Sequence, residues 1–320
     1  MRAVVQWRYG GPEVLRLEEI EPPKIPDDRV LVRVKAASVN ALDWHMMRGM
    51  PLLARMDGFR GPRERVRGVD VAGVVESVGA AVTRFVPGDE VFGGGGGTFA
   101  ELARSKETSL VHKPTNLSFE EAAAVPVAGL TALQGLRDAG GVRAGRQVLV
   151  YGAGGGVGSY AVQIARALGA TVTAVTRTDM VDLVRSLGAE RVIDHTREDV
   201  TRLGETWDVV FDLGGNRSLT DLRRATVPGG VVVLCGAGRG DTIGPLVRIA
   251  AGRIRTWLGR GRFVFYLAQH RQDDLLALAH LLGAGQIRPI IDRAFPLERA
   301  GEAIAYVEQG RARGKVVITI

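Results

Sequence analysis

The chain has 320 residues, of which 46% are hydrophobic, and this length exceeds one typical core and suits two domains. Its single cysteine, Cys235, excludes an intrachain disulfide framework and any cluster of thiolate metal ligands. The formal net charge is +7, but 37 of the 42 basic residues are arginines and acidic residues are interspersed among them, so we expect no nucleic-acid partner.

The hydropathy of the chain argues against a membrane protein or an exported one. No stretch approaches the roughly 18 consecutive apolar residues of a spanning helix. Residues 1–7 lead directly into a strand-like segment and lack the organisation of a signal peptide. We therefore expect a cytoplasmic protein with no membrane partner.

Short strands separated by turns fill the first 125 residues. Segments such as RVLVRVKAAS and GVDVAGVVESVG are rich in β-branched residues, and glycine and proline pairs mark the turns between strands. After residue 297 the pattern predicts a helix and then a strand, GKVVITI, which we expect to return to this first domain. We assign residues 1–125 and 292–320 to a β-rich, partly barrel-like domain.

Strands and helices alternate over residues 126–291. A helix is predicted over 120–136, and strands are predicted at 147–151, 171–176, 191–194, 207–212, 230–235 and 289–291. Such alternation is typical of an α/β fold with a doubly wound parallel sheet, because parallel neighbours need crossover connections. We assign residues 126–291 to this second domain.

Residues 147–170, QVLVYGAGGGVGSYAVQIARALGA, predict a strand, a glycine-rich turn and an amphipathic helix in succession. The turn carries the pattern A-x-G-x-x-G at Ala153, Gly155 and Gly158. Glycines there permit a tight turn and let a pyrophosphate approach the start of the helix. The alternative is a glycine-rich turn with a structural role only. The predicted dinucleotide contacts are Gly152, Ala153, Gly155, Gly156, Val157 and Gly158.

Several motifs occur together in a fixed order: VNALDW, GVDVAGVVESVG, PGDEVFG, FAELA, AAAVPVAGLTALQGL, the glycine turn, LGAERVIDH and GKVVI. In this order the chain resembles the medium-chain dehydrogenase/reductase superfamily over essentially its whole length, and within it the zinc-free quinone oxidoreductase branch. The resemblance implies a Rossmann domain with a doubly wound parallel sheet, together with a β-rich GroES-like catalytic domain. It also implies a nicotinamide cofactor in the cleft between the two domains.

The resemblance also bears on metal binding. Zinc alcohol dehydrogenases of this superfamily hold zinc with a cysteine at the position of Asn40, and with a histidine and a glutamate in the segment matching residues 68–70. This chain has Asn40, Val69 and Asp70, and it lacks the four-cysteine lobe of the structural zinc, so we expect no metal. Without a Lewis acid an alcohol is hard to oxidise, whereas a quinone or an enone accepts hydride into a conjugated system.

The catalytic candidates follow from the same resemblance. Asn40 and Asp43 match polar positions at the nicotinamide end of the cleft, where they would hold the nicotinamide ribose and orient substrate; alternatively they only cap a turn before Trp44. His45 stands where relatives often have tyrosine, and it would stack on the acceptor or donate a proton to it, or be merely positional. Thr131 matches a threonine that contacts the cofactor, unless its hydroxyl bonds its own helix backbone.

The choice of cofactor depends on the end of the second Rossmann strand, at Thr176 and Arg177. An arginine there can pair with a 2′-phosphate, so NADPH is favoured over NADH. Asp179 stands where relatives often have a basic residue, and His195 replaces a common tyrosine in a position of the cofactor site; either would relax the preference. Asp179 would alternatively cap the next helix.

Further cofactor contacts are expected where later strands end. The amides of Gly214, Gly236 and Ala237 would meet the ribose and the nicotinamide, although tight loop exits need the same residue types. Phe263 and Phe265 would flank the nicotinamide and sandwich a planar quinone, or pack at the edge of a dimer. The resemblance also suggests a homodimer.

Together these features favour an NADPH-dependent oxidoreductase that transfers hydride to a quinone or an α,β-unsaturated carbonyl without zinc. One alternative is an alcohol dehydrogenase-like enzyme or an enoyl-thioester reductase. Another, of a different class, is an NADPH-binding protein with little turnover. The sequence alone does not identify the acceptor.

Overall fold

The computed structural model describes residues 1–55, 58, 60–235 and 244–320. Two units separate within them. The first unit contains Met1–Leu130 and His270–Ile320, and the second unit contains Thr131–Gln269. Residues 270–291, which the sequence pattern grouped with the dinucleotide-binding domain, therefore lie in the first unit.

The elements are named in chain order. The strands are β1 (Arg2–Gln6), β2 (Leu15–Glu19), β3 (Arg29–Val39), β4 (Asp70–Val78), β5 (Glu90–Gly94), β6 (Leu102–Lys106), β7 (Leu110–His112), β8 (Gln147–Tyr151), β9 (Thr171–Thr176), β10 (Arg191–Asp194), β11 (Trp207–Asp212), β12 (Thr226–Leu234), β13 (Arg262–Phe265), β14 (Ile291–Pro296) and β15 (Lys315–Thr319). The α-helices are α1 (Ala41–Arg48), α2 (Phe119–Ala123), α3 (Pro126–Gln134), α4 (Gly156–Ala167), α5 (Val181–Ser186), α6 (Leu219–Arg224), α7 (Gly244–Trp257), α8 (Gln272–Gly283) and α9 (Ala300–Glu308). None of these described helices is long and apolar enough to cross a bilayer.

The first unit is built on a seven-stranded sheet in the order β14-β15-β3-β4-β5-β7, with β6 also paired to β3. Strand β3 is its centre, because it pairs antiparallel with β15, β4 and β6. Its alternating residues Val30, Val32 and Val34 enter a core with Val71 and Val75 of β4. The predicted β-rich domain is confirmed, as is the return of the terminal strand β15 to it.

The second unit is a six-stranded parallel sheet in the order β10-β9-β8-β11-β12-β13. The chain starts at β8 in the interior of the sheet and winds outward in both directions, first to β10 and then to β13. A sheet wound in this way binds ligands beyond the carboxyl ends of its strands, at the point where the winding reverses, which here lies beside β8. The predicted doubly wound α/β fold is confirmed.

Two local predictions were wrong. The sixth strand of the parallel sheet is β13, paired with β12, whereas the segment predicted at 289–291 leads into β14, which pairs with β15 in the first unit. A short apolar run does not reveal which strand it will pair with. The helix predicted over 120–136 is divided into α2 and α3, since Pro126 has no N–H with which to continue a helix.

Candidate active site and cofactor site

A group of buried polar side chains lies where β3, β4 and β15 meet in the first unit. We call Ser38, Asn40, Asp43, Asp70 and Lys315 the Lys315 cluster. The register of the three strands brings these residues together. Ser38 of β3 lies opposite Asp70 of β4, and the neighbouring residue Val39 lies opposite Val316 of β15, next to Lys315. All five members of the cluster are more than nine-tenths buried.

Asp70 is the acceptor at the centre of the Lys315 cluster. Its Oδ2 accepts from Ser38 Oγ at 2.7 Å and from Asn40 Nδ2 at 2.8 Å. Its Oδ1 accepts from the backbone N–H of Val127, in the first turn of α3, at 3.0 Å. A fully buried carboxylate needs such donors, because burial separates it from bulk solvent.

Lys315 supplies the positive charge of the cluster. Its Nζ donates to Asn40 Oδ1 at 2.6 Å and to the Val39 carbonyl at 3.3 Å, and it lies 3.6 Å from Asp70 Oδ2. Burial lowers the pKa of Lys315, and the two nearby carboxylates act in the opposite direction. Asn40 therefore has its amide oxygen and its amide nitrogen both engaged inside the cluster.

Asp43 lies in the first turn of α1 and closes that helix end. Its Oδ2 accepts the backbone N–H of Asn40 at 2.7 Å, which is the capping role that the sequence analysis held as the alternative. Burial, with a smaller effect from the nearby Asp70, raises the pKa of Asp43 to about 7, while the Asn40 N–H bond, Lys315 and Arg67 act to lower it. A carboxyl group of this kind carries a proton well above the pH at which an exposed aspartate loses it.

His45 lies two residues after Asp43 in α1 and is partly buried. Its Nδ1 is 2.8 Å from the Met50 carbonyl, and its ring packs on Trp44 with the ring centroids 3.6 Å apart. A carbonyl only accepts, so Nδ1 carries the hydrogen. Because burial lowers the pKa of His45, the ring is neutral near pH 7 and its Nε2 is an acceptor. This arrangement argues against the predicted proton donation by His45 at neutral pH and fits a positional role.

The glycine turn of the second unit follows β8, at the point where the winding of the parallel sheet reverses. Gly152 has φ +94°, a conformation that favours glycine. A Cβ on Gly158 would lie 2.2 Å from the Gly152 carbonyl oxygen and 2.7 Å from Ala153 Cα, so only glycine fits there. A Cβ on Gly155 would meet nothing closer than 3.6 Å and has an ordinary φ of −83°. Gly158 therefore serves the turn, while Gly155 leaves open space above it.

Helix α4 begins inside this turn, at Gly156 and Val157. No side chain caps its first residue, so its leading backbone N–H groups point outward without a side-chain acceptor. Such a helix start attracts an anion, through those N–H groups and the helix dipole. The turn and α4 together fit the pyrophosphate of a dinucleotide.

The carboxyl ends of β9 and β10 bring the candidates for cofactor choice together. Thr176 lies opposite Asp194 across the two strands, and the N–H of His195 donates to the Thr176 carbonyl at 3.0 Å. Arg177 follows β9, and its Nε lies 3.3 Å from Asp179 Oδ1. Helix α5 is capped at Met180, so Asp179 does not act as its cap and pairs with Arg177.

The remaining candidates for cofactor contacts lie in different environments. The Thr131 carbonyl accepts from the Tyr266 hydroxyl within the second unit. The amide of Gly214 faces the Asp212 carboxylate, which fits a tight loop exit. Phe263 is buried in the core of the second unit, so it cannot sandwich a quinone, whereas Phe265 at the end of β13 is exposed. Gly236 and Ala237 lie outside the described residues.

Comparison with known proteins agrees with this fold. Residues 26–115 match the family model of the alcohol dehydrogenase GroES-like domain, and residues 187–318 match that of the zinc-binding dehydrogenases. The chain is 35% identical to 2-methylene-furan-3-one reductase of Solanum lycopersicum and 34% identical to a chloroplastic NADPH-dependent alkenal/one oxidoreductase of Arabidopsis thaliana. Each alignment covers 99% of this chain and 79% of the relative.

Solved structures give the same result. The quinone oxidoreductase of Coxiella burnetii superposes with a TM-score of 0.87 at 29% identity, over 100% of this chain and 99% of that one. The NADPH complex of Escherichia coli quinone oxidoreductase superposes with a TM-score of 0.84 at 25% identity, over 100% of both chains. The chain belongs to the medium-chain dehydrogenase/reductase superfamily, in its quinone oxidoreductase branch. The resemblance read from the sequence motifs is confirmed.

Membership of a superfamily with zinc enzymes makes the donor set of the Lys315 cluster informative. Two of the three positions that hold zinc in those relatives are an amide, Asn40, and an apolar side chain, Val69. The Lys315 ammonium already occupies Asn40 Oδ1, and it would repel a second cation there. Among the described residues, no group of three histidine, cysteine or acidic side chains is arranged to hold a metal. The residues present do not fit zinc.

The sequence analysis missed Lys315 as a member of the site. Lys315 lies 275 residues from Asn40, and the signal for it was a lone lysine at the head of an otherwise apolar strand, KVVIT. A charge in such a strand must find a buried partner. The partner is identified only once β15 is paired with β3.

The raised pKa of Asp43 predicts a pH dependence of stability. An unfolded aspartate has an ordinary pKa of 3.8, whereas the pKa of folded Asp43 is about 7. The contribution of Asp43 to folding stability is therefore complete below about pH 4 and is lost as pH rises toward about 7. Relative to Asp43→Asn, the wild type should lose up to about 1.4 kcal/mol per pH unit across that window, measured by denaturant unfolding.

Asp89→Asn is the control, because Asp89 Oδ2 also accepts a backbone N–H three residues earlier, from Val86, at 2.9 Å outside the cluster. A difference between wild type and Asp43→Asn that does not change with pH would show that Asp43 ionises normally in the folded state.

The two glycines of the turn predict opposite phenotypes. Gly158→Ala places a methyl group against backbone and should lower the free energy of unfolding by about 1–3 kcal/mol. Gly155→Ala should leave stability within about 0.5 kcal/mol but weaken NADPH binding about 10-fold or more, because the methyl group enters the space left for a pyrophosphate. Thermal unfolding and fluorescence titration with NADPH measure the two effects. Equal NADPH affinity in Gly155→Ala and wild type would place the phosphates elsewhere.

Proposed function

We propose that this protein reduces a quinone or an α,β-unsaturated carbonyl with hydride from NADPH, without zinc. The observation that carries the proposal is the Lys315 cluster, in which an amide, Asn40, stands at a zinc-ligand position and is bound by the Lys315 ammonium. Relatives at 34–35% identity over 99% of the chain, named for reductions of alkenals, enones and furanones, support the same conclusion.

The chemistry of the cluster favours a conjugated acceptor. Oxidation of an alcohol needs a group that lowers the pKa of the hydroxyl, and zinc supplies this in metal-dependent dehydrogenases. Asn40, Val69 and Lys315 supply no such Lewis acid. A quinone or an enone needs none, because it spreads the negative charge that arrives with hydride over its conjugated system and onto an oxygen that hydrogen bonds can stabilise.

When bound, the reduced nicotinamide supplies the hydride. The chain's own part is to hold and orient the two reactants. Gly155 and the N–H groups at the start of α4 would hold the pyrophosphate, and Arg177 with Thr176 would hold the 2′-phosphate. Asp43 is the cluster member that can exchange a proton near neutral pH, given its pKa of about 7.

Cytoplasmic location, a homodimeric state and the absence of a nucleic-acid partner remain predictions from the sequence. The preference for NADPH over NADH is likewise a prediction, and it depends on Arg177.

The proposed activity is tested by NADPH oxidation, followed by absorbance, with a panel of quinones and enones in the presence of a chelator. We expect turnover that the chelator does not reduce and that is faster with NADPH than with NADH. Loss of activity on chelation would refute the zinc-free assignment. NADPH binding without turnover of any acceptor would favour a binding protein in place of a reductase.

Arg177 and Asp179 predict how cofactor preference can be shifted in both directions. Arg177→Ala should raise the KM for NADPH about 10-fold and leave that for NADH nearly unchanged, because a charge-assisted contact to the 2′-phosphate is lost. Asp179→Asn should lower the KM for NADPH several-fold, since it removes a negative charge 3.3 Å from the guanidinium.

Arg185→Ala is the matched control, because Arg185 is an exposed arginine in the same unit that pairs with Asp182 at 2.8 Å. Steady-state kinetics with each cofactor decide the outcome. An equal rise in both KM values for Arg177→Ala would mean that this arginine does not recognise the 2′-phosphate.

A further inference from the structure

A groove of about 520 Å³ opens on the surface of the first unit, and its lining includes no member of the Lys315 cluster and no residue of the glycine turn. It runs along Gly94–Gly96, a glycine-rich stretch after β5 that the cofactor site does not use. Its volume falls within the range of small-molecule sites. We call it the basic groove, after the charged residues at one end.

One end of the groove is apolar and adjoins the Lys315 cluster. Leu42 and Val69 line it, and each is the sequence neighbour of a cluster member, Asp43 and Asp70 respectively. Leu42 is 45% exposed, so its apolar side chain is accessible from the groove. An apolar ligand would cover it.

The other end carries Arg29, Arg104 and Lys106. Arg29 lies directly opposite Lys106 across β3 and β6, and Arg104 is two residues from Lys106, which places it on the same face of β6. Like charges so close repel one another unless an anion lies between them.

The protein supplies little of that negative charge. Within the described ranges, Arg104 and Lys106 make no ion pair, and Arg29 pairs with Asp28, whose side chain is 66% exposed. The acidic residue nearest to Lys106 along the chain, Glu107, is turned away and accepts the backbone N–H groups of Thr83 and Arg84.

Ser105 lies between Arg104 and Lys106 in β6, so its side chain points to the opposite face of the strand, where it is 1% exposed. Its hydroxyl therefore faces the interior of the unit and not the groove. Gly95 packs against it, and a Cβ there would lie 2.8 Å from Ser105 Oγ.

The glycines also keep the groove open. A Cβ on Gly94 would lie 2.5 Å from the His270 ring, which lines the groove, and a Cβ on Gly96 would enter empty space. Larger residues at these positions would displace His270 or fill the groove.

We propose that the basic groove binds the anionic end of the acceptor, a carboxylate or a phosphate, with the conjugated body of the acceptor against Leu42 and Val69. This inference rests on the proposed function and specifies its substrate class: an apolar enone or quinone that bears an anionic group. Arg104 and Lys106 are the specificity residues, and Arg29 supports them.

The test compares matched acceptors that differ only at one end: a neutral alkyl enone, the same enone with a terminal carboxylate, and the same enone with a terminal phosphate. The wild type should show a KM about 10-fold lower for at least one anionic acceptor, and the advantage should shrink as salt is raised. The carboxylate and phosphate arms identify which anion the groove prefers.

Arg104→Glu/Lys106→Glu should abolish that advantage and leave the KM for the neutral enone within about 2-fold. Arg104→Gln/Lys106→Gln, which removes charge without reversing it, should give the same direction with a smaller effect. The control is Arg16→Glu/Lys35→Glu, an equal change of charge on exposed strand residues of the first unit outside the groove. Thermal unfolding midpoints show which variants are folded.

The results separate the two proposals. Equal KM values for neutral and anionic enones in the wild type, or an equal loss in the control variant, would overturn the groove inference while leaving the reductase in place. If neither an enone nor a quinone is reduced, the reductase proposal fails, and the groove is then judged by calorimetry with the saturated carboxylate and phosphate analogues. Binding that is lost in Arg104→Glu/Lys106→Glu supports the groove, and its absence in the wild type overturns it.

Discussion

The buried contact of Lys315 with Asn40 and Asp70 is the interaction on which the candidate active site depends. It joins three strands of one sheet, since Lys315 begins β15, Asp70 begins β4 and Asn40 directly follows β3. Asp70 also holds the first turn of α3 through the Val127 N–H. Removing one partner from such a set leaves an uncompensated buried charge, which typically costs about 3–5 kcal/mol. The geometry of the cluster is therefore fixed by the same contacts that stabilise the sheet.

A fixed ammonium and a bound zinc ion have different chemical roles in a site. Zinc offers an open coordination position to a substrate oxygen. Lys315 offers none, because the hydrogen bonds of its ammonium go to Asn40 and Val39 within the protein. The cluster thus orients side chains and sets the proton affinity of Asp43 without coordinating substrate. A cluster of this kind suits a reaction in which the acceptor itself delocalises the developing charge.

The parts of this site that could be predicted from sequence are those that depend on local geometry. The glycine turn was recognisable because its residues are consecutive, and because Gly152 and Gly158 are required by a backbone conformation and a close contact within seven residues. The alternation of strands and helices likewise predicted the parallel sheet. Pairing between distant segments was not predictable, since nothing local distinguishes β13 from β14 as the sixth strand or shows that Lys315 meets Asn40. The burial of Phe263 was not predictable for the same reason, because its orientation depends on how β13 pairs with β12.

The second unit contains a similar arrangement, a buried aspartate beside a cation, but here the cation is an arginine. Asp212, fully buried at the end of β11, accepts from Arg248 Nη2 at 2.6 Å and from the Gly215 N–H at 3.1 Å. Burial raises the pKa of Asp212, and Arg248 opposes that rise. In each unit a buried aspartate at one end of a strand binds a cation and backbone N–H groups, that of Val127 in the first unit and those of Gly214 and Gly215 in the second. A loop or a helix start that is hydrogen-bonded in this way cannot move away without leaving a buried carboxylate short of donors. In each unit, therefore, a buried ion pair and its hydrogen bonds fix the backbone beside the candidate ligand-binding residues.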